Sequence, residues 1–499
     1  MRQAANDILS KKEIKDEFRE LAQDMAPQFC RDSTCIVALA EFALEILERI
    51  FEHPLVGAEG HLHALDKATT TWKALDSDGL ESCLMLLSGL TGADAKKIKF
   101  RSKSMLEAVS SSMIRHPAVR NDTAFSESDG IVSDGKIITV EIKRGGHNIV
   151  KKPAKPEHFA KIHVDLPVKP APTPQWDRFL DSLFREDVDK KSKIALIQEF
   201  IGVGILGQSA KIAKVLLALG QGANGKSVLQ NAIAELIPEY VTHCAPETWG
   251  DSRGPTLLAD GKRLNIVPEI SSKALRNTQS FKAIVSGDPV QIDPKYRSPY
   301  TMRSCAGHFL SANKLPEMNE SSYAIDRRIV ILTFNQNFHR LTEARRSEAE
   351  ILASLEPERG AIIHKCLESA CTALNRQGYS TPRSHKEELK IWTEESCPVA
   401  RFAEECLEPD PCERDYEAVH YLHSVFSIWC RDTNERTLSE REFSAKFRVL
   451  PGQSNPKRKS YGGKRIPSFR AKVNQAWNEK ENRARNGVQL DFDTPFPQH

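Results

Sequence analysis

Val215-Leu-Leu-Ala-Leu219 followed by Gly220-Gln-Gly-Ala-Asn-Gly-Lys-Ser227 constrains this chain more than any other stretch. It matches GxxxxGK[ST] in full, with a buried strand expected before it and a helix expected from Val228 to Leu236. The residues suit a phosphate cradle. Gly220, Gly222 and Gly225 let the backbone bend until its N–H groups converge on phosphate oxygens. Gln221, Ala223 and Asn224 complete the loop, and Val228 follows it. The positive end of the helix adds to the field. Lys226 offers a point charge to the β- and γ-phosphates, and Ser227 offers a hydroxyl to Mg²⁺. The fold expected is an α/β P-loop sheet, with ATP and Mg²⁺ as cofactors.

A neighbouring strand should end in an acid that holds magnesium's water and polarises the attacking one. Leu264-Asn-Ile-Val-Pro-Glu269 fits, with Glu269 as catalytic acid and as metal ligand beside Ser227. Pro268 cannot donate to a ladder, so it belongs where the strand ends. The bland alternative is a surface glutamate after a buried strand. His308-Phe-Leu-Ser-Ala-Asn313 supplies an amide, Asn313, at the tip of a third strand. Asp326-Arg327-Arg328 precedes the strand-like Ile329-Val-Ile-Leu-Thr-Phe334, and Arg327 or Arg328 could reach a neighbouring subunit's nucleotide. Alone, the asparagine is a turn residue and the arginines a solvated edge.

Other features bound the answer. The 499 residues allow roughly two to four domains. A net charge of +3 means that any nucleic-acid surface is local. No run approaches the roughly 20 apolar residues that cross a bilayer, and the N-terminus lacks a secretory h-region, so a cytoplasmic protein is expected. Eleven scattered cysteines without a CxxC read as free thiols, not as a zinc or redox site.

Residues 1–55 read as a helical accessory or oligomerisation segment, with Phe18, Leu21 and Met25 and then Leu39, Phe42 and Ile46 at helical spacing. Residues 56–150 read as α+β, including a strand at Lys136–Ile142. Six prolines mark 151–175 as a linker. A helical domain is expected over 176–210, the ATPase core over 211–340, a helical lid over 341–390, a winged helix over 391–475 and a flexible tail over 476–499.

The set of motifs resembles superfamily 3 helicases, and within them the phage, plasmid and poxvirus primase-helicase family. GQGANGKS, LNIVPE, FLSANKLP and DRR fall in the family's order between 220 and 328. Phe281 to Asp288 followed by Lys295-Tyr-Arg297 looks like the family's further B′ motif. That resemblance implies Lys282 in a helix and a basic hairpin, Lys295, Tyr296 and Arg297, that touches DNA in a central channel. It also implies an AAA+-like core, a mostly helical domain ahead of it that includes Thr71 to Asp76, and a C-terminal winged helix. The single acid departs from the pattern, and no zinc ligands or carboxylate cluster suggest a primase domain, so a separate primase is an open partner.

Two basic features suit nucleic acid. Cations interleaved with tyrosines at 295–300 fit a single strand. Lys457, Arg458, Lys459, Lys464 and Arg465 around Gly462-Gly463, after a helix at Ser439–Phe447, fit a winged helix on duplex DNA. An ordinary hairpin and a basic arm are the plainer readings. The expectation is an ATP-dependent helicase that translocates on single-stranded DNA during replication of a mobile element, assembled as a homohexamer with no membrane partner. An origin-binding initiator, a nucleotide switch and a small-molecule kinase are the rivals.

Overall fold

The helical periodicity of residues 11–50 folds as two helices. α1 (Lys12–Phe29) buries Phe18, Ala22, Met25 and Ala26, one stripe at i, i+4, i+7 and i+8. α2 (Ile36–Phe51) buries Leu39, Phe42, Ala43, Ile46 and Leu47. Asp32 Oδ1 accepts from the Thr34 and Cys35 backbone N–H groups and so turns the chain into α2.

The computed structural model describes residues 9, 11–121, 124–125, 130–143, 146–259, 261–271, 275, 278–294, 299–316, 327–336, 338, 346–396, 398–408, 416–435, 437–448, 450, 457–461 and 464–481. It divides into two units, residues 1–318 with 322–386, and residues 319–321 with 387–499.

In the first unit, β1 (Val56–Ala58), β2 (His61–Asp66) and β3 (Thr71–Ala74) form an antiparallel sheet. α3 (Ser77–Leu86) and α4 (Lys103–Arg115) join α1 and α2 around its core. β4 (Ile131–Ser133), β5 (Lys136–Lys143) and β6 (Gly146–Pro153) form a second antiparallel sheet. Two expectations are corrected here. Residues 56–153 hold two antiparallel sheets as well as helices, so they are not the mostly helical domain that the resemblance implied, and Thr71–Ala74 is a strand. The prolines of 151–175 also do not make a free linker. Ile162, Val164 and Val168 are buried in the main core, and the Val132 N–H donates to the Ile162 carbonyl at 2.8 Å. Proline prevents a ladder but does not prevent burial.

α5 (Pro174–Leu183), opened by a proline in its first turn, buries Trp176, Phe179, Leu180 and Leu183. α6 (Lys190–Ile205) is buried on most sides, and the short α7 (Ser209–Ile212) leads into the sheet. The sheet is built from β7 (Val215–Leu219), β8 (Val241–Thr242), β9 (Leu264–Val267), β12 (Gly307–Ala312) and β13 (Ile329–Thr333). All neighbours are parallel, in the order β13-β7-β12-β9-β8. β9, β12 and β13 are buried throughout, as parallel strands covered on both faces must be. α8 (Lys226–Ala234) follows β7. α9 (Thr278–Ser286) and the hairpin of β10 (Val290–Ile292) and β11 (Tyr300–Met302) lie between β9 and β12 in sequence. After β13 come α10 (Glu348–Leu355), α11 (Arg359–Arg376) and α12 (Arg383–Ser396).

The second unit has its own aromatic core of Phe402, Phe426, Trp429, Phe443, Phe447 and Phe469. α13 (Pro398–Cys406), α14 (Val419–Asp432) and α15 (Glu440–Phe447) supply most of it. β14 (Tyr416–Ala418), β15 (Lys457–Tyr461) and β16 (Lys464–Arg470) form an antiparallel sheet in the order β14-β16-β15. Ser439 and Glu442 close a capping box at the start of α15. Residues 476–481, expected to open a flexible tail, are instead helical, with Trp477 packed on this core and Glu481 buried, and the rest of that expectation lies outside the described residues. Among the described residues, no helix is long and apolar enough to cross a membrane.

Candidate nucleotide site

The strand order decides what meets what. β12 pairs with β7 on one side and with β9 on the other. Parallel strands end at the same edge, so the loop after β7, Glu269 after β9 and Asn313 after β12 arrive together. Side-chain bonds then join them. Lys226 Nζ donates to the Gly220 carbonyl, to the Gln221 carbonyl at 3.3 Å and to Asn313 Oδ1 at 3.4 Å. Asn313 Nδ2 donates to Glu269 Oε1 at 2.9 Å. Glu269 and Asn313 are both exposed.

The loop itself is tightly turned. Gly225 caps α8 at φ 85°, a left-handed conformation, and a β-carbon there would collide with the Leu183 side chain. Ala223 has φ 62°, and its carbonyl accepts from the Phe338 N–H at 3.0 Å. Asn224 is buried, with Nδ2 directed to the Phe334 carbonyl at 3.4 Å and Oδ1 accepting from the Lys226 N–H at 3.4 Å. Leu229, Ala232 and Ile233 fix α8 to the core. Ser227 faces solvent at the helix start, and its hydroxyl makes no hydrogen bond among the described residues. Burial pulls the Lys226 ammonium below the ordinary lysine range, and the charge of Glu269 partly opposes this.

These groups open on a cleft of about 780 Å³. One wall is the loop with Pro268, Glu269 and Asn313. The other comes from α5, as Arg178, Phe179 and Leu183, and from Phe338, Arg346 and Ile351. The sequence motifs gave no sign of this second wall. Only the apolar stripe of α5 hinted at it, and a stripe does not tell a core face from a cleft face.

The remaining expected residues lie elsewhere. Arg327 and Arg328 precede β13, at the edge away from the loop. Lys282 is half-buried on α9. Lys295, Tyr296 and Arg297 lie outside the described residues. Beside them, Tyr300 meets His61 edge-on at 5.9 Å and lines a second cleft of about 820 Å³ with Arg115, Arg120 and Arg253. In the second unit Lys457 is exposed, and Lys459 lies over the Tyr416 ring at 3.7 Å. Arg458, Lys464 and Arg465 have backbone in β15 and β16, and their side chains are outside the described part.

The residues fit a magnesium nucleotide. Lys226 is a buried ammonium held by neutral oxygens, Ser227 offers its hydroxyl beside it, and Glu269 stands within the same bonded chain. Among the described residues there is no cluster of three or more His, Cys, Asp or Glu able to hold a metal by itself.

Residues 218–328 match a family of unknown function, DUF5906. No curated protein matches the chain. Among solved structures, an A-form apo structure of the NrS-1 C-terminal region is similar at 12% identity and a TM-score of 0.47, covering 84% of this chain and 97% of that one. A second apo structure of that region gives 12% identity, a TM-score of 0.42, and 84% and 96% coverage.

Proposed function

We propose that this protein is an ATP-dependent DNA helicase that translocates on single-stranded DNA in the replication of a phage, plasmid or other mobile element. One observation carries the reading. The strand that leads to Asn313 lies between the phosphate-loop strand and the Glu269 strand, so Lys226, Asn313 and Glu269 form one hydrogen-bonded chain at the cleft. Renumbered within the sheet, the order is 5-1-4-3-2, which suits an AAA+-like P-loop core and agrees with the superfamily 3 motif order.

On this reading Lys226 leaves the Gly220 and Gln221 carbonyls for the β- and γ-phosphates, and Ser227 with Glu269 would hold the metal. Magnesium, when bound, supplies charge neutralisation on the phosphates. Glu269 accepts the proton of the lytic water, and Asn313 orients that water from the side. The apolar wall of Phe179, Leu183 and Phe338 takes the base. A second copy supplies an arginine, so a homohexamer with closed symmetry is the natural assembly. The test is steady-state ATP hydrolysis with and without single-stranded DNA, with Lys226→Ala as control. Strong stimulation that vanishes in the variant is expected. Turnover indifferent to DNA would remove the helicase reading.

A replication initiator that melts an origin is the second reading, favoured by the helices and basic β15–β16 hairpin of the second unit, which suit a winged helix. Sequence-specific duplex binding that depends on Lys457 would favour it over a general helicase.

A further inference from the structure

The second cleft of the first unit, about 820 Å³, shares no lining residue with the cleft at the phosphate loop. One wall is a face of α4. Glu107, Ser110, Ser111, Ile114 and Arg115 line it at i, i+3, i+4, i+7 and i+8, one side of a helix. The other wall carries Arg253, Asp293 and Tyr300.

The α4 face is charged in opposite senses at its two ends. Arg115 closes the helix, and Arg120 arrives beside it. Gly57 pairs with Arg120, and a β-carbon on Gly57 would strike the Ile114 carbonyl, so both arginines flank one point of β1. At the other end Glu107 stands near Glu81 of α3. Burial raises the Glu81 carboxyl above the usual carboxylate range, the Lys103 ammonium opposes this and the Glu107 charge adds to it. Eight residues of helix separate Glu107 from Arg115, roughly 12 Å. Glu81, Glu107, Arg115, Arg253 and Asp293 make no ion pair or side-chain hydrogen bond among the described residues. Between the two ends, Ser110 Oγ is buried with no hydrogen-bond partner. A buried hydroxyl is costly to leave unsatisfied, and here it opens on a cleft whose opposite charges do not neutralise each other.

We propose that this cleft binds one nucleotide unit, with its phosphate on Arg115 and Arg120 and the amino edge of an adenine, cytosine or guanine base toward Glu107 and Glu81. The planar guanidinium fork matches phosphate oxygens. Carboxylates accept from the amino groups of bases, as from cytosine N4. Thymine turns a carbonyl oxygen to the same place and is repelled. Ile114 and Tyr300 give a ring something apolar to lie against between the charged ends. An amino acid carries its two charges too close together to span the α4 face. The same chemistry serves a free mononucleotide or one residue of a single strand.

The test uses the full chain, without ATP. Fluorescence anisotropy gives its affinity for short oligodeoxycytidylate and oligothymidylate across a salt series. Arg115→Ala should weaken both strands alike and lower the slope of log affinity against log salt by about 0.7, one phosphate contact on a single strand. Glu107→Gln should lower the ratio of oligodeoxycytidylate to oligothymidylate affinity by about fivefold, because an amide both donates and accepts. Free deoxycytidine monophosphate that displaces the strand from wild type, and less well from Arg115→Ala, assigns the site to a mononucleotide. Failure to displace a strand that depends on Arg115 assigns it to nucleic acid. Thermal midpoints equal to that of wild type show that the variants fold. Wild-type affinity and slope in both Arg115→Ala and Arg115→Glu overturn the phosphate end. An unchanged base ratio in Glu107→Gln overturns the base end. A wild type that binds neither the strands nor the mononucleotide overturns the site as a whole. A wild type without ATP turnover would remove the reading of the other cleft and leave these measurements standing.

Discussion

Lys193 and Lys226 are two buried lysines of the same unit, and they are held in opposite ways. Lys193 is fully buried, with Nζ 2.7 Å from Asp187 Oδ2 and 3.6 Å from Asp189 Oδ1. It also donates to the Thr333 carbonyl at 2.9 Å and to Thr333 Oγ1 at 2.7 Å. Its charge is neutralised, its donors are used, and it ties the turn before α6 to the end of β13. Lys226 has carbonyl and amide oxygens around it and no ion pair among the described residues. A buried ammonium whose charge Glu269 offsets only in part is costly for a fold to keep. On the proposed reading, the contrast separates a lysine that serves the scaffold from one that waits for an anion.

The largest expected effect tests that second role. Lys226→Ala should reduce ATP turnover by at least ~10²-fold. Thermal unfolding of the same variant should show a midpoint unchanged or raised, because a buried charge that is only partly offset has been removed. A sharp fall in the midpoint would make Lys226 a scaffold residue and break the contrast. Lys193→Ala should do the reverse. Leaving Asp187 and Asp189 without their partner should cost about 3–5 kcal/mol in urea denaturation. A loss under about 1 kcal/mol, as for a surface pair, would erase the distinction from the other side.

A buried base kept neutral sharpens the comparison. His385 Nδ1 accepts from the Ile331 N–H at 3.0 Å, which requires an unprotonated nitrogen, and burial lowers its pKa to about 4. The fully buried His308 is lowered further, to about 3. A depressed folded pKa means that the unfolded chain takes up protons first. The stability is therefore complete above about pH 6.5 and is lost as pH falls toward 4, by up to ~3 kcal/mol for His385. Unfolding measured across that range should lose part of its pH dependence in His385→Gln. An unchanged profile would show that the ring contributes nothing to acid sensitivity.

Legibility in the sequence followed the locality of the signal. The glycine-rich loop at 220–227, its strand and its helix lie within twenty residues and obey steric rules, so their geometry could be read directly. The buried runs at 264–267, 307–312 and 329–333 were legible because strands covered on both faces become continuously apolar. Their order was not, since adjacency in a sheet depends on crossovers that leave no local trace. Thr71 to Asp76 was misplaced because a strand as short as Thr71–Ala74 is too brief to display alternation. Ile162 and Val164 do alternate, but the surrounding prolines concealed a buried extended segment. Arg178, Phe338 and Arg346 reach the cleft from segments far apart in the chain, and no spacing rule joins them.

The contact between α6 and α11 carries a consequence for dissecting the protein into fragments. Gly202 lies so close to the Cys366 carbonyl that a β-carbon would collide with it, so the two backbones touch without a side chain between them. The buried cluster around this contact draws Ile131 and Ile138 from before the sheet and Tyr379 from after it. A piece cut at 211–340, the limits suggested by the motifs, would carry the whole cleft loop and strip away the apolar cover on which its strands rest. The smallest autonomous piece should run from the start of β4 to the end of the first unit, near residue 386.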